Sequence, residues 1–113
     1  MRITKKIGVI PLVGEIDTHR AQILMENALK QGNTYKLSWL IIDLSAVPII
    51  DTMVADQLFK VVAALKFVGI DVVLSGIRSE IALTMVQLGV KLTDIVTFNS
   101  LYGALDYTNS RLQ

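Results

Sequence analysis

Apolar residues fall into two kinds of block along this chain, short continuous runs and longer stretches with helical spacing, and the two kinds alternate. The run Ile7–Val13, IGVIPLV, is apolar and rich in β-branched residues and ends at Gly14, which predicts a strand. A short strand over Arg2–Lys5 is expected to precede it, and Pro11 places Ile7–Val13 at a sheet edge or at a bulge. From Thr18 to Gln31, Ala21, Leu24, Met25 and Ala28 follow helical spacing, with Asp17 as N-cap and Gly32 where a C-terminal cap belongs. Trp39–Leu44, WLIIDL, is apolar on both faces and reads as a central strand. Thr52–Val68 is the second helix, capped by Asp51 and terminated by Gly69. Asp71–Ser75 is a second buried strand, Ser79–Leu88 a third helix closed by Gly89, Asp94–Phe98 a last strand, and Ser100–Asn109 a last helix.

Strands that alternate with helices through short loops require crossover connections, so the predicted fold is α/β, a single domain over residues 1–113. Its sheet is mostly parallel, with four to five strands and about four helices. No linker, repeat or low-complexity segment interrupts the pattern. In such a sheet, functional loops lie beyond the carboxyl ends of the strands. Here those loops carry SAVPIIDT and SGIRSE.

Composition narrows the function. With 113 residues, 52% of them hydrophobic, the chain can bury a core of its own. A formal net charge of +1 and 19% charged residues give no polyanion-binding surface, so nucleic acid is not expected as a partner. The absence of cysteine removes a disulfide framework, a thiol nucleophile and a thiolate metal site together, and fits a reducing cytoplasm. The N-terminus, MRITKKIGVIPLVG, lacks a signal-peptide core, and the most apolar windows are broken by Asp, Lys and Gly well short of the ~20 residues of a membrane span. A soluble protein is expected, with neither membrane nor cofactor.

Catalytic chemistry finds little footing. The chain has no phosphate loop, no dinucleotide fingerprint and no nucleophile elbow. His19, the single histidine, falls at the start of the first helix, where it reads as a solvated first-turn residue. Asp43 and Asp51 could form a carboxylate pair for a metal or for acid–base work, but Asp43 lies inside a strand and capping explains Asp51.

The turn at Asp51-Thr52 carries more information. Asp51 at the N-cap accepts from a first-turn amide and suits the positive helix end. Thr52 stands one residue inside, at the most exposed position of the helix, where its hydroxyl is open to a kinase. The residues alone support two readings, a helix cap or a cap that also presents a phosphoacceptor. A phosphate there adds roughly −1.5 to −2 charges, welcomed by the helix dipole and opposed by Asp51. The expected result is little change in fold and a large change in surface charge. At about 100° per residue Asp56 and Lys60 share an arc, with Met53, Ala63 and Phe67 near it. Met53 and Phe67 are therefore expected to be partly exposed beside the turn, and Asp51, Thr52, Met53, Asp56 and Lys60 form the candidate partner surface.

The order strand, helix, LIIDLSAVPIIDT, helix, GIDVVLSGIRSEIALTMVQLGV, strand, helix resembles the STAS domain of anti-sigma-factor antagonists over nearly the whole chain. It is similar above all to the stressosome scaffold proteins of the RsbR type, with the RsbS type next; PLVGEID near the start and threonine at position 52 fit the RsbR type, since the RsbS type carries serine there. The resemblance implies a non-enzymatic switch. The hydroxyl residue after the aspartate, Thr52, is implied to be phosphorylated by a serine/threonine switch kinase that also binds the domain. Thr84, in EIALT, is implied as a second phosphorylated threonine, although a mid-helix threonine is ordinarily a surface residue whose hydroxyl bonds back to the preceding turn. STAS-domain paralogues are the implied partners in a homo- or hetero-oligomer. The family often has proline at the position of Ser79, and RsbR-type scaffolds carry an N-terminal sensory domain that these 113 residues lack. Two other readings stand beside this one: a stand-alone anti-sigma-factor antagonist, and a small nucleotide-binding or enzymatic α/β domain that uses the strand-end loops.

Overall fold

Four strands step across one sheet in chain order, each parallel to the last. The structure is a computed structural model that describes residues 6–90 and 95–111. Its elements run β1 (Ile7–Val13), α1 (Thr18–Tyr35), β2 (Trp39–Ala46), α2 (Thr52–Phe67), β3 (Asp71–Ser75), α3 (Ser79–Leu88), β4 (Val96–Phe98) and α4 (Leu101–Arg111). The sheet order is β1-β2-β3-β4. The strand expected at Arg2–Lys5 lies outside the described residues, as does Asp94.

Stepping always in one direction through crossovers of one hand puts α1, α2 and α3 on the same face of the sheet. There Leu40, Ile42, Leu44, Val72 and Leu74 pack against Leu24 and Ala28 of α1, Val54, Leu58, Val61 and Leu65 of α2, and Ile81 and Met85 of α3. The opposite face is left to α4, where Ala104 packs on Ile7, Val9, Ile41 and Val73. Tyr107 of α4 meets Trp39 edge-on at 5.7 Å and Phe98 at 5.2 Å, which anchors the end of α4 by aromatic contact. β2 is covered on both sides, and all five residues from Leu40 to Leu44 are buried.

Pro11 occupies both positions open to it. β1 is an edge strand among the described residues, and its register with β2 shifts between Pro11 and Val13, as suits a residue with no N–H to give a neighbour. The first helix departs from the pattern-based boundary. It continues past Gly32 to Tyr35, and the left-handed cap is Lys36, at φ 54°. Gly32 is instead a buried interior residue, where a Cβ would collide with Cδ1 of Ile70. Its glycine answers a close approach of helix to core and not a helix end, a distinction invisible in local sequence. Smaller differences are that β2 extends through Ala46, β4 is limited to Val96–Phe98, α2 ends at Phe67, and α4 reaches Arg111.

Ile42 and Leu74 are both fully buried and face the three crossover helices. Replacing either by alanine is expected to lower stability by ~2 to 5 kcal/mol, the range for large-to-small core changes, measured by urea unfolding.

Candidate functional site

The loop from β2 to α2 is built on two buried anchors. Val47 and Ile50 are buried, and between them Pro48 and Ile49 face outward. The Val47 amide donates to the Leu44 carbonyl at 3.0 Å, turning the chain back over the sheet end. Asp51 follows in an extended conformation, and its carboxylate accepts from the Val54 amide at 2.8 Å, while the Ala55 amide donates to the Asp51 carbonyl at 3.0 Å. These are the bonds of an N-cap. Thr52 is exposed, and its hydroxyl has no hydrogen-bond partner among the described residues.

Met53 is 70% exposed beside it. One and two turns further along the same outward stripe, Asp56 and Lys60 form an exposed ion pair at 3.1 Å. The structure thus brings Asp51, Thr52, Met53, Asp56 and Lys60 onto one continuous surface. Phe67 is 90% exposed but does not belong to it. Helical angle puts Phe67 on the stripe, yet fifteen residues of rise carry it about 22 Å from Thr52, to the far end of α2. Angular position without axial distance misplaced it beside the turn.

Thr84 has the opposite environment from Thr52. It is 8% exposed on the inner side of α3. Its hydroxyl lies 3.1 Å from the Glu80 carbonyl, the back-bond to the preceding turn, and 3.2 Å from the Ile50 carbonyl. It is therefore a buried residue and not a surface one. Only the back-bond is local; the contact to Ile50 spans 34 residues and no sequence signal announces it.

The roots of the two strand-end loops are joined by a polar cluster that sequence reading missed. Asp43, 7% exposed, is paired in register with Ser75 of β3. Its carboxylate accepts from the Ser75 hydroxyl at 2.6 Å and the Ser45 hydroxyl at 2.5 Å. A buried carboxylate must be hydrogen-bonded, and here two serines satisfy it without a cation among the described residues. The available signal was an acidic residue inside an apolar strand with serine two places on. Gly76, at φ 69°, lies against the same root: a Cβ there would stand 2.6 Å from the Ser45 amide nitrogen. Asp43 and Asp51 each have separate partners, His19 is exposed on the first turn of α1, and no group of three or more metal-ligating side chains gathers among the described residues. No helix of the described residues is long and apolar enough to cross a membrane.

Thermal unfolding checks two consequences. Asp51→Ala should cost ~1 kcal/mol as a lost cap, whereas Thr52→Ala should stay within ~0.5 kcal/mol because its hydroxyl bonds to nothing among the described residues. Gly76→Ala should cost ~2 kcal/mol or more, since it combines a left-handed backbone with a collision against main chain.

Comparison with known proteins agrees with this architecture. The sequence profile of the STAS domain matches residues 1–104. The chain is 53% identical to the RsbT co-antagonist protein RsbRD of Bacillus subtilis over 105 residues, which is 93% of this chain and 38% of that protein. It is 46% identical to RsbRB of the same organism, again over 93% of this chain and 38% of the relative. The 113 residues thus span well under half the length of these relatives. In three dimensions the chain is similar to a point variant of RsbS from Moorella thermoacetica, with TM-score 0.84, 22% identity, and coverage of 99% of this chain and 94% of that one. A chain of the stressosome, described as a signal integration and transduction hub, has the same fold, with TM-score 0.73, 23% identity, and coverage of 91% and 93%. The profile match over residues 1–104 shows the family, and the likeness to these solved structures agrees with the single α/β unit of four parallel strands and four helices described above; the chain belongs to the STAS domain family.

Proposed function

We propose that this domain is a non-enzymatic scaffold and switch of a bacterial stressosome pathway, working in the cytoplasm. In this reading it assembles with STAS-domain paralogues, binds a serine/threonine switch kinase, and is controlled by phosphorylation of Thr52. The observation that carries the reading is the contrast at the head of α2: an exposed threonine hydroxyl with no partner among the described residues, directly after a cap that already satisfies the Val54 amide. Its likeness to RsbT co-antagonists supports the pathway assignment.

The switch works through charge. A phosphate on Thr52 brings roughly −1.5 to −2 charges to the first turn of α2. The amides of Thr52 and Met53 have no acceptor among the described residues, and with the helix dipole they offset that charge locally. Asp51 keeps its bond to Val54 and opposes the phosphate, so the added charge is projected outward. Met53 and Ile49, both more than half exposed, give a kinase an apolar footing beside the acceptor, and the Asp56–Lys60 pair supplies the polar rim. A phosphate at the centre of that surface weakens the contact. Thr84 is the second acceptor in this reading, reached only when α3 moves away from Ile50.

Intact-mass and site-mapping spectrometry after incubation with the switch kinase and ATP tests the assignment. Wild type should gain a phosphate that disappears in Thr52→Ala and persists in Thr84→Ala, and Thr52→Glu should bind the kinase more weakly than wild type. Mixing with STAS paralogues should yield a large assembly by light scattering. An unmodified Thr52, under conditions in which another STAS substrate is phosphorylated, rejects the switch.

A further inference from the structure

The Ile50 carbonyl sits immediately before the Asp51 cap, in a residue 5% exposed. Backbone carbonyls in such places are almost always paired. No amide donates to this one among the described residues, and its partner is the Thr84 hydroxyl at 3.2 Å. A second buried helical threonine provides the contrast. Thr108 spends its hydroxyl on the carbonyls of Ala104 and Leu105 within its own helix. Thr84 shares its proton between its own helix and a loop 34 residues away.

We infer that Thr84 is a positioning residue for Thr52: its hydroxyl latches α3 to the Ile50 carbonyl and so holds the Asp51-Thr52 turn in the conformation that presents the acceptor. The latch stands on geometry alone, and its consequence for Thr52 rests on the switch reading above. The chain between Ala46 and Thr52 has two buried side chains, Val47 and Ile50, and Ile50 is the anchor adjacent to the cap. Loss of the donor strands a buried carbonyl, and the turn relieves it by opening to water.

The same bond makes the two threonines mutually dependent. If a phosphoryl group passes from a nucleoside triphosphate to Thr84, the Oγ1–P bond forms as the nucleoside diphosphate leaves, and the hydroxyl proton is released to solvent. The proton that served Ile50 is then gone, and a dianionic group cannot occupy the space against a carbonyl oxygen. The modified state therefore holds the turn open, and a closed turn withholds Thr84 from modification. Such linkage is reciprocal in free energy.

Amide hydrogen exchange on the chain, followed by NMR in wild type, Thr84→Val, Thr84→Ala and Thr84→Ser, decides the matter without any kinase. In the two donorless variants the Val54 and Ala55 amides, both bonded to Asp51, should exchange roughly fivefold faster relative to the Ile42 and Leu74 amides of the sheet. Thr84→Ser keeps the donor and should return them to wild-type rates. Unchanged ratios at Val54 and Ala55, or acceleration that merely follows the sheet, overturns the latch. The rate of Thr52 phosphorylation should fall by a similar factor in Thr84→Val and recover in Thr84→Ser, because a reacting group held in place reacts faster. A Thr52 rate indifferent to these variants overturns the coupling. A wild-type Thr52 that the kinase ignores defeats the switch reading and leaves the latch to the exchange data.

Discussion

Burial of β2 on both faces is the constraint on which the rest of this structure depends. A strand with Leu40 through Leu44 out of water needs a neighbour on each side for its backbone and a layer of helix above and below. β1 and β3 supply the hydrogen bonds; the three crossover helices cover one face and α4 covers the other. Once β2 is central, its carboxyl end becomes the point where two loops leave the sheet side by side. The surface at the head of α2 is therefore a product of the packing and not an addition to it.

The carboxyl end of β2 is also where the core becomes polar, and each polar group there is placed in relation to a loop. Asp43 joins β2 to β3 through Ser75 and reaches Ser45 at the start of the next connection. Gly76 permits the two loop roots to touch main chain to main chain. Val47 and Ile50 then pin the β2–α2 loop to the core, and the Asp51 cap closes it into the helix. Thr52 emerges from this frame with its backbone fixed and its hydroxyl free. In the proposed function, a phosphate added at this fixed turn would change the surface charge without a change of fold.

Two threonines in one domain thus have contrasting physical states. Thr52 is exposed at the head of α2, whereas Thr84 is held in the α3 interface by two acceptors. On the proposed reading, modification of Thr84 would have to be preceded by local opening, since its hydroxyl is buried against two carbonyls. The apolar residues Leu83 and Val86 are exposed on the outward side of the same helix.

Much of this was legible along the chain because it depends on local rules. Periodicity located each of the eight described elements, Asp17 and Asp51 were readable as caps, Pro11 as an edge residue, and WLIIDL as a strand covered on both sides. The candidate surface at the head of α2 followed from helical angle. What the sequence could not decide was every relation set by distance across the fold. Gly32 resembles a helix end but serves the approach of Ile70; Phe67 shares an arc with Met53 but stands at the other end of the helix; Asp43 reads as one acidic residue in a strand until the parallel register delivers Ser75 beside it. Thr84 meets Ile50 only because α2 and α3 pack side by side. Propensity, capping and amphipathic spacing act over one or two turns and are written in neighbouring residues, whereas contacts between elements arise from topology and register, which exist only once the chain has closed on itself.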